Sequence, residues 1–390
     1  MKVAIIAESF LPQTNGVVHT ILRVVEHLES RGDEVLIVAP AARGVPATVS
    51  RSRVATVPAW SFPGYADVRV ATGRVAPVTA ILREFAPDVV HLASPFALGW
   101  RAALAARALD LPVVAVFQTD VPGYASRYGL KGTAALLWRR VRDIHGHATL
   151  NLVPSTATQR ELEEQGIRRI RMWRRGVDSE RFTPDNRSHA WRRSIAPGGE
   201  KLVGFVGRLA PEKQVQDLAA LRDVPGIKLV VIGDGPERHR LQKLLPEAHF
   251  TGMLHGDDLA RAVAGLDVLV NTSETETFCQ VVQEAMASAV PVVASAVGGP
   301  VDLVDQSRTG WLYEPGDLTA MVAHVKDLTG DEYKRAAFGR AARRSVVLRG
   351  WRPVCSELVG HYAAAVEQHD PSGLETIRLR HLGTRRSARR

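Results

Sequence analysis

The sequence predicts an α/β protein made of two doubly wound domains that face a common cleft. Three observations carry this. Short apolar runs alternate with helical patterns along almost the whole chain, the mark of parallel sheets covered by helices on both faces. The alternation opens twice, at KVAIIAESF from Lys2 and at KLVGFVGRL from Lys201. Between the two series, Gly176–Glu200 reads GVDSERFTPDNRSHAWRRSIAPGGE, where Pro, Gly, Ser and charge replace apolar periodicity.

In the first series the opening strand leads through a polar loop, LPQTNG, into a helix over Val17–Ser30 and then the strand EVLIVAP. Further strands are expected near Val89–Leu92, Val113–Phe117 and Leu150–Pro154. In the second, the opening strand is followed by a helix from about Lys213 and by KLVVIGDG. Strands near His249–Thr251, Val268–Asn271, Val292–Ser295 and Trp311–Tyr313 complete it. A last helix, about Trp351–Gln368, is expected to return to the first domain. The division is therefore residues 1–185, residues 186–350, a returning helix at 351–368 and a basic, disordered tail at 369–390. A chain of 390 residues is long enough for two domains with a core each. In sheets of this kind ligands bind beyond the carboxyl ends of the strands, which places the site in the cleft.

Composition narrows the class. Hydrophobic residues make up 45% and charged residues 23%, the balance of a soluble globular protein. Cys279 and Cys355 cannot form a disulfide framework, so a reducing cytoplasm is expected. No apolar run reaches the length of a membrane span, and MKVAIIAESF is too short and too acidic for a signal peptide. The net charge of +9 invites a nucleic-acid reading until it is located: Arg378–Arg390 holds six arginines and no acid, which leaves +3 for the rest. Zinc-ligand spacing and aromatic–basic RNA motifs are absent, so no nucleic-acid partner is expected. Without a P-loop a kinase or ATPase is disfavoured, and without Gly-x-Ser-x-Gly an α/β-hydrolase is.

The most informative stretch is SETETFCQVVQEAMASAVPVVAS, residues 273–295. Thr277 and Gln280 have the spacing of a capping box, which predicts a helix N-terminus at Thr277. Phe278, Val281, Val282, Ala285, Met286 and Ala289 form its buried stripe, and Gln280 and Glu284 lie on another face. PVVAS then reads as a buried strand. A helix N-terminus, here near Phe278, Cys279 and Gln280, offers free N–H groups and suits a diphosphate. Glu276 and Glu284 on either side make sense if they hold hydroxyls of a sugar and of a ribose.

The loop GRLAPEK, residues 207–213, follows the opening strand of the second half. Arg208 and Lys213 are placed to neutralise a diphosphate, with Gly207 permitting close approach of the backbone. Gly233 and Gly235, and Gly298 and Gly299, mark other strand ends. Asn15 and Gly16 lie in the loop that would cover the diphosphate from the first domain, offering backbone N–H groups. In VFQTDVPGYA, Gln118, Thr119 and Asp120 end a strand at the cleft edge. Asp120 would bind a sugar hydroxyl or orient an acceptor, or else cap a turn. His91 reads as a packed core histidine. Trp60, Phe62 and Tyr65 among Arg51, Arg53, Arg69 and Arg74, and Leu136, Leu137, Trp138 and Val141 among Arg139, Arg140 and Arg142, suit a membrane interface or a helix packed on its sheet.

These residues resemble glycosyltransferase family 4, the retaining transferases of GT-B fold with two Rossmann-like domains. The resemblance covers about residues 1–368. SETETFCQVVQEAMASAVPVVAS looks like the family's two-glutamate signature and GRLAPEK like its diphosphate loop. It implies that Glu276 holds the donor sugar, Glu284 the ribose, and Arg208 and Lys213 the diphosphate, with Gly16 in the glycine loop. FLPQTNGVVHT and QTDVPGYA are similar to actinobacterial GDP-mannose-dependent α-mannosyltransferases acting on lipid acceptors. That implies a GDP-mannose donor, a lipid-linked or glycolipid acceptor, and peripheral contact with an anionic membrane from the cytoplasmic side. No cofactor is expected, since no Asp-x-Asp metal clamp is present. The family implies attack on the face the leaving group departs from, with the departing phosphate taking the acceptor's proton. One departure stands out: many members carry histidine where this chain has Gln118, which cannot carry charge at neutral pH. A UDP-sugar donor, a GT-B UDP-sugar epimerase and a non-catalytic nucleotide-sugar or membrane-binding module are the alternatives.

Overall fold

The computed structural model describes residues 1–13, 15–62, 65–123 and 134–369, with residues 62 and 65–68 in backbone only. Expectations that rest on the Phe62 and Tyr65 side chains and on the tail from residue 370 lie outside the described residues.

The first half supplies β1 (Lys2–Ala7), β2 (Glu34–Pro40), β3 (Thr48–Val49), β4 (Ser52–Val57), β5 (Ala59–Phe62), β6 (Tyr65–Ala71), β7 (Val89–Ala93), β8 (Val113–Val116), β9 (Leu150–Val153) and β10 (Ile170–Met172). Eight of these form one sheet in the order β10-β9-β8-β7-β1-β2-β4-β3, while β5 and β6 pair apart as a hairpin. All neighbours in the large sheet are parallel except β3 with β4. The second half supplies β11 (Lys201–Val206), β12 (Ile227–Ile232), β13 (His249–Gly252), β14 (Val268–Asn271), β15 (Val292–Ser295) and β16 (Gly310–Tyr313), in the parallel order β13-β12-β11-β14-β15-β16. The central strands of both sheets are buried on two faces, which is why they read as unbroken apolar runs, while β4 (SRVATV), next to the edge, mixes buried with exposed positions. The expected α/β class with two doubly wound domains is what the chain adopts.

Strand order reverses at β1, which has β2 on one side and β7 on the other, and at β11, flanked by β12 and β14. Loops leaving such strands diverge to opposite faces and open a crevice at their carboxyl ends.

Three elements differ from the sequence reading. The helix expected from Lys213 is two 3-10 stretches, Pro211–Lys213 and Val215–Leu221. Gln214 between them takes the left-handed conformation (φ 49°), which interrupts any α-helical ladder. The Trp60 region is the β5–β6 hairpin, whose short strands carry no clean alternation. The helix predicted from Thr277 begins only at Gln280 and runs to Ala287.

The helix Trp351–His369 buries Val354, Cys355, Leu358, Tyr362, Ala365 and Val366 in the same core cluster as β1 and the helix Gly16–Ser30. Val177 and Phe182 belong to the second core. Outgoing and returning chains lie side by side: Val177 bridges Gly350 in parallel, and the Val177 N–H donates to the Arg349 carbonyl at 3.0 Å. Beyond the crossing, Arg187 and Arg192 clamp the buried Asp267 carboxylate at 2.7 and 2.8 Å, fixing the connecting segment to the second domain.

Candidate active site

The loop leaving β11 is stitched to those leaving β12 and β14. The Leu209 N–H donates to the Asp234 carbonyl at 2.9 Å and the Gly207 N–H to the Ile232 carbonyl at 3.0 Å. Gly233 must be glycine here, since a Cβ would stand 1.9 Å from the Gly207 carbonyl oxygen. From the β14 side, the Thr272 hydroxyl donates to the Lys213 carbonyl at 2.7 Å, and the Ser273 and Thr275 hydroxyls reach the Glu212 carbonyl, each at 3.4 Å. The result is an ion pair: Lys213 Nζ lies 2.5 Å from Glu276 Oε1, with the two side chains only 18% and 14% exposed. Arg208 sits on the same loop, exposed.

Glu276 is held from behind by the Gly298–Gly299 turn. The Gly299 N–H donates to the Glu276 carbonyl at 3.0 Å, and Gly298 (φ 66°) approaches so closely that a Cβ would be 1.7 Å from that oxygen. The chain then buries Phe278 and turns through Cys279 in the left-handed conformation (φ 72°) before the helix starts. The capping box is therefore not formed. Thr277 instead donates its hydroxyl to the Gln118 carbonyl at 3.0 Å, and Gln280 Nε2 donates to the Gly176 carbonyl at 3.0 Å. Both polar groups that a local pattern assigns to helix capping are drawn to the first domain and the crossing segment. Cys279 is buried and its thiol accepts from Asn271 Nδ2 at 3.3 Å. Glu284, on the first turns of the helix, is half-buried. Burial pushes its carboxyl up to about 8, with the Asp178 charge adding to the rise and Arg175 opposing it.

On the first-domain side, Asn15 caps the helix Gly16–Ser30, its Oδ1 accepting from the Val17 and Val18 N–H groups at 3.0 Å each. Gln118, just past β8, is buried, and its Oε1 accepts from Arg175 Nη2 at 3.1 Å. Arg175 is buried too, and its Nη1 lies 2.7 Å from where a Gly16 Cβ would be. Asp120 turns to its own backbone, where Oδ1 accepts from the Gly123 N–H at 2.8 Å, the turn-capping alternative of its two sequence readings. Its charge, second to burial, helps push the Glu161 carboxyl up to about 7. His91 is in the core, bonded to the Tyr362 hydroxyl at 2.5 Å and edge-on to Trp173.

The cleft thus brings Lys213 and Glu276 into contact and ties Gln118 to their loop through Thr277. Gly16 and Glu284 meet through Arg175, which lies against the former and acts electrostatically on the latter. Arg175 is the residue the sequence reading missed. It sits in MWRRGVD, three residues past the end of the short edge strand β10, which carries no apolar run to mark it, and its position depends on the chain crossing between domains. A further contact missed is Asp302, whose carboxylate accepts from the Thr156 N–H at 2.7 Å and from the Thr156 hydroxyl, joining the two halves.

Residues 14–181 match the family described as Glycosyltransferase Family 4, and residues 188–345 that described as Glycosyl transferases group 1. A GDP-mannose-dependent alpha-mannosyltransferase of Mycobacterium tuberculosis (strain CDC 1551 / Oshkosh) is 47% identical over 375 residues, covering 93% of this chain and 97% of that protein. The chain belongs to glycosyltransferase family 4. A protein of the same description from Corynebacterium glutamicum is 42% identical to this glycosyltransferase over 379 residues, covering 94% and 89% of the two chains. The sulfoquinovosyl transferase SQD2 of Arabidopsis thaliana is 35% identical over 354 residues, covering 88% and 69%. Among solved structures, Anabaena Alr3699/HepE in complex with UDP superposes with a TM-score of 0.75 at 19% identity, covering 93% of this chain and 100% of that one. Sucrose-phosphate synthase from Thermosynechococcus elongatus reaches 0.76 at 20% identity, covering 93% and 98%. Likeness at that identity speaks for the fold, and the fold of this glycosyltransferase is GT-B.

Proposed function

We propose that this glycosyltransferase moves an α-mannosyl group from GDP-mannose to a hydroxyl of a lipid-linked or glycolipid acceptor, with retention of configuration. The donor reading is supported by the near full-length identity to proteins named for that donor. The observation that carries the chemistry is the Lys213–Glu276 pair, held at the carboxyl ends of the strands where the second sheet reverses.

In this reading Lys213 and Arg208 face the diphosphate, with the N-terminus of the helix Gln280–Ala287. They take up the negative charge that grows on the leaving β-phosphate, a preorganised electrostatic stabilisation. Glu276 accepts from hydroxyls of the sugar. Glu284, neutral near pH 7 because its carboxyl is pushed up to about 8, both donates and accepts toward a ribose diol. Charge is balanced by side chains, so transfer proceeds without a metal; unchanged turnover in excess EDTA is expected, and a loss would remove this element.

The acceptor side is the first domain. Trp60 on the β5–β6 hairpin is 59% exposed and Leu136 on the helix Ala134–His147 is 65% exposed, with Arg139 and Arg142 exposed on that helix. Exposed apolar groups with exposed arginines on the same helix favour contact with an anionic membrane at its cytoplasmic face. No helix among the described residues is long and apolar enough to cross a membrane. The test of the whole reading is to supply GDP-[labelled]mannose with a total lipid extract and identify the product. Labelled glycolipid is expected. Preferential consumption of a UDP-sugar in direct competition, or donor consumption that ignores acceptor, would overturn it. Cosedimentation with anionic liposomes that Leu136→Glu weakens is the expected result for the membrane contact.

A further inference from the structure

Gln118, just past β8, and Arg175, just before the crossing, lie 57 residues apart in sequence and meet in the cleft at 3.1 Å. Both are buried, Gln118 to 5% and Arg175 to 7% exposure. The identities of the two groups make the contact one-way. A guanidinium has donors only, whereas a carboxamide has an oxygen that accepts and a nitrogen that donates. With Arg175 on one side, the oxygen of Gln118 must face it, because the reverse orientation would set N–H against N–H. The amide nitrogen is then turned the other way. Among the described residues Nε2 gives its hydrogens to no protein acceptor, and the Gln118 main-chain carbonyl is already taken by the Thr277 hydroxyl.

We propose that Arg175 is a positioning residue that fixes Gln118 with its amide nitrogen toward the donor, so that position 118 gives hydrogen bonds to a ligand oxygen and accepts none. The ligand chemistry is a sugar hydroxyl or diphosphate oxygen, the oxygens that pass between Gly16 and the Lys213–Glu276 pair. Arg175 lies against Gly16, and Thr277 joins the Gln118 backbone to the Glu276 loop, so the amide is placed between these groups. The Gln283 Nε2 donation to the Arg175 carbonyl at 3.2 Å anchors the arginine backbone to the second domain, which ties the orientation of Gln118 to both halves. This inference rests on the reading of the cleft as the donor site.

A double-mutant cycle tests it. Arg175→Met keeps the length of the side chain and removes the donors that orient the amide. Gln118→His presents a ring N–H that can reach the ligand without help from a guanidinium, since imidazole can place its proton on either nitrogen. Arg175→Met in the parent is expected to lower kcat/KM by roughly 10- to 100-fold, and in the Gln118→His background by less than about 3-fold. Any effect of Arg175 on Glu284 or on the fold is common to both backgrounds and drops out of the comparison. Equal losses in the two backgrounds would overturn the proposal. Arg175→Lys, which still donates to the amide oxygen, is expected to keep most of the parent rate. If Arg175→Met does not fold, Arg175→Gln takes its place in the cycle, because a second amide bonds to either end of Gln118 and no longer selects one. The cycle is run on whichever nucleotide-sugar the parent consumes; if it consumes none, the coupling is read in the Kd for GDP. A failed donor assignment and a failed Arg175 assignment therefore give different results.

Discussion

Lys213 Nζ and Glu276 Oε1 stand 2.5 Å apart, a cation and an anion that neutralise one another inside the cleft. The two groups assigned to opposite parts of a nucleotide-sugar are thus each other's partner, and a ligand that engages both must take over what each gives the other. A diphosphate supplies the negative charge for Lys213, and sugar hydroxyls supply the donors for Glu276.

Removing the lysine should therefore do more than delete a cation. Lys213→Ala is expected to lower kcat/KM by about 100- to 1,000-fold, by analogy with the loss of one oxyanion donor, and Arg208→Ala to act in the same direction. GDP should bind Lys213→Ala more weakly than it binds Lys213→Ala/Glu276→Gln, because the single variant leaves an uncompensated carboxylate within a few ångströms of where Lys213 held the phosphate. Calorimetric titration with GDP gives the order, and identical affinities would show that the Glu276 charge is not felt at the diphosphate.

Glu284 should leave a mark on stability. Its carboxyl is pushed up to about 8 in the folded protein, against an ordinary value of 4.5, chiefly by burial. Between those values the folded state holds a proton that the unfolded state has released, so this group's contribution to stability declines as pH rises. Glu284→Gln removes that slope. Thermal melts from pH 5 to pH 8.5 should show the variant gaining on the parent, and parallel curves would contradict the assignment.

The returning helix is secured by a polar contact inside the first core. His91, whose ring is pushed down to about 3 by burial, bonds through Nδ1 to the Tyr362 hydroxyl. Tyr362→Phe strands that nitrogen and should cost about 1–3 kcal/mol in urea unfolding. Adding His91→Leu removes both polar partners and should recover part of the loss. A double variant less stable than Tyr362→Phe alone would mean that the imidazole packs for its shape and not for its bond.

Gly298→Ala is expected to disable the site without touching a charged group. The new Cβ would fall 1.7 Å from the Glu276 carbonyl oxygen at a backbone angle that side chains rarely adopt. The 276–278 loop must shift, and kcat should fall while the unfolding midpoint drops only modestly. Full activity in this variant would show that the loop tolerates displacement.

Much of this was legible in the sequence because it is written locally. Buried parallel strands are apolar runs, and β1, β7, β8, β9 and β11 to β16 announce themselves that way. The Glu276 and Lys213 loops follow from the strands they end. The hairpin β5–β6 and the 3-10 stretch Val215–Leu221 were not legible, since neither has a distinctive period. Thr277 and Gln280 satisfied a capping pattern that the fold does not use: their partners are Gln118 and Gly176, more than a hundred residues away. Arg175 was invisible for the same reason, its meaning residing wholly in what the crossing brings beside it.

That crossing has a mechanical consequence. The chain passes between the halves twice, and the two passages run shoulder to shoulder at Val177 and Gly350. Bodies joined by two adjacent strands swing about the line of attachment, as a door swings on its pins, and resist twisting in other directions. Points near that line travel least. A swing about that line would carry Arg175, two residues from the bridge, through a smaller arc than any residue set farther from it.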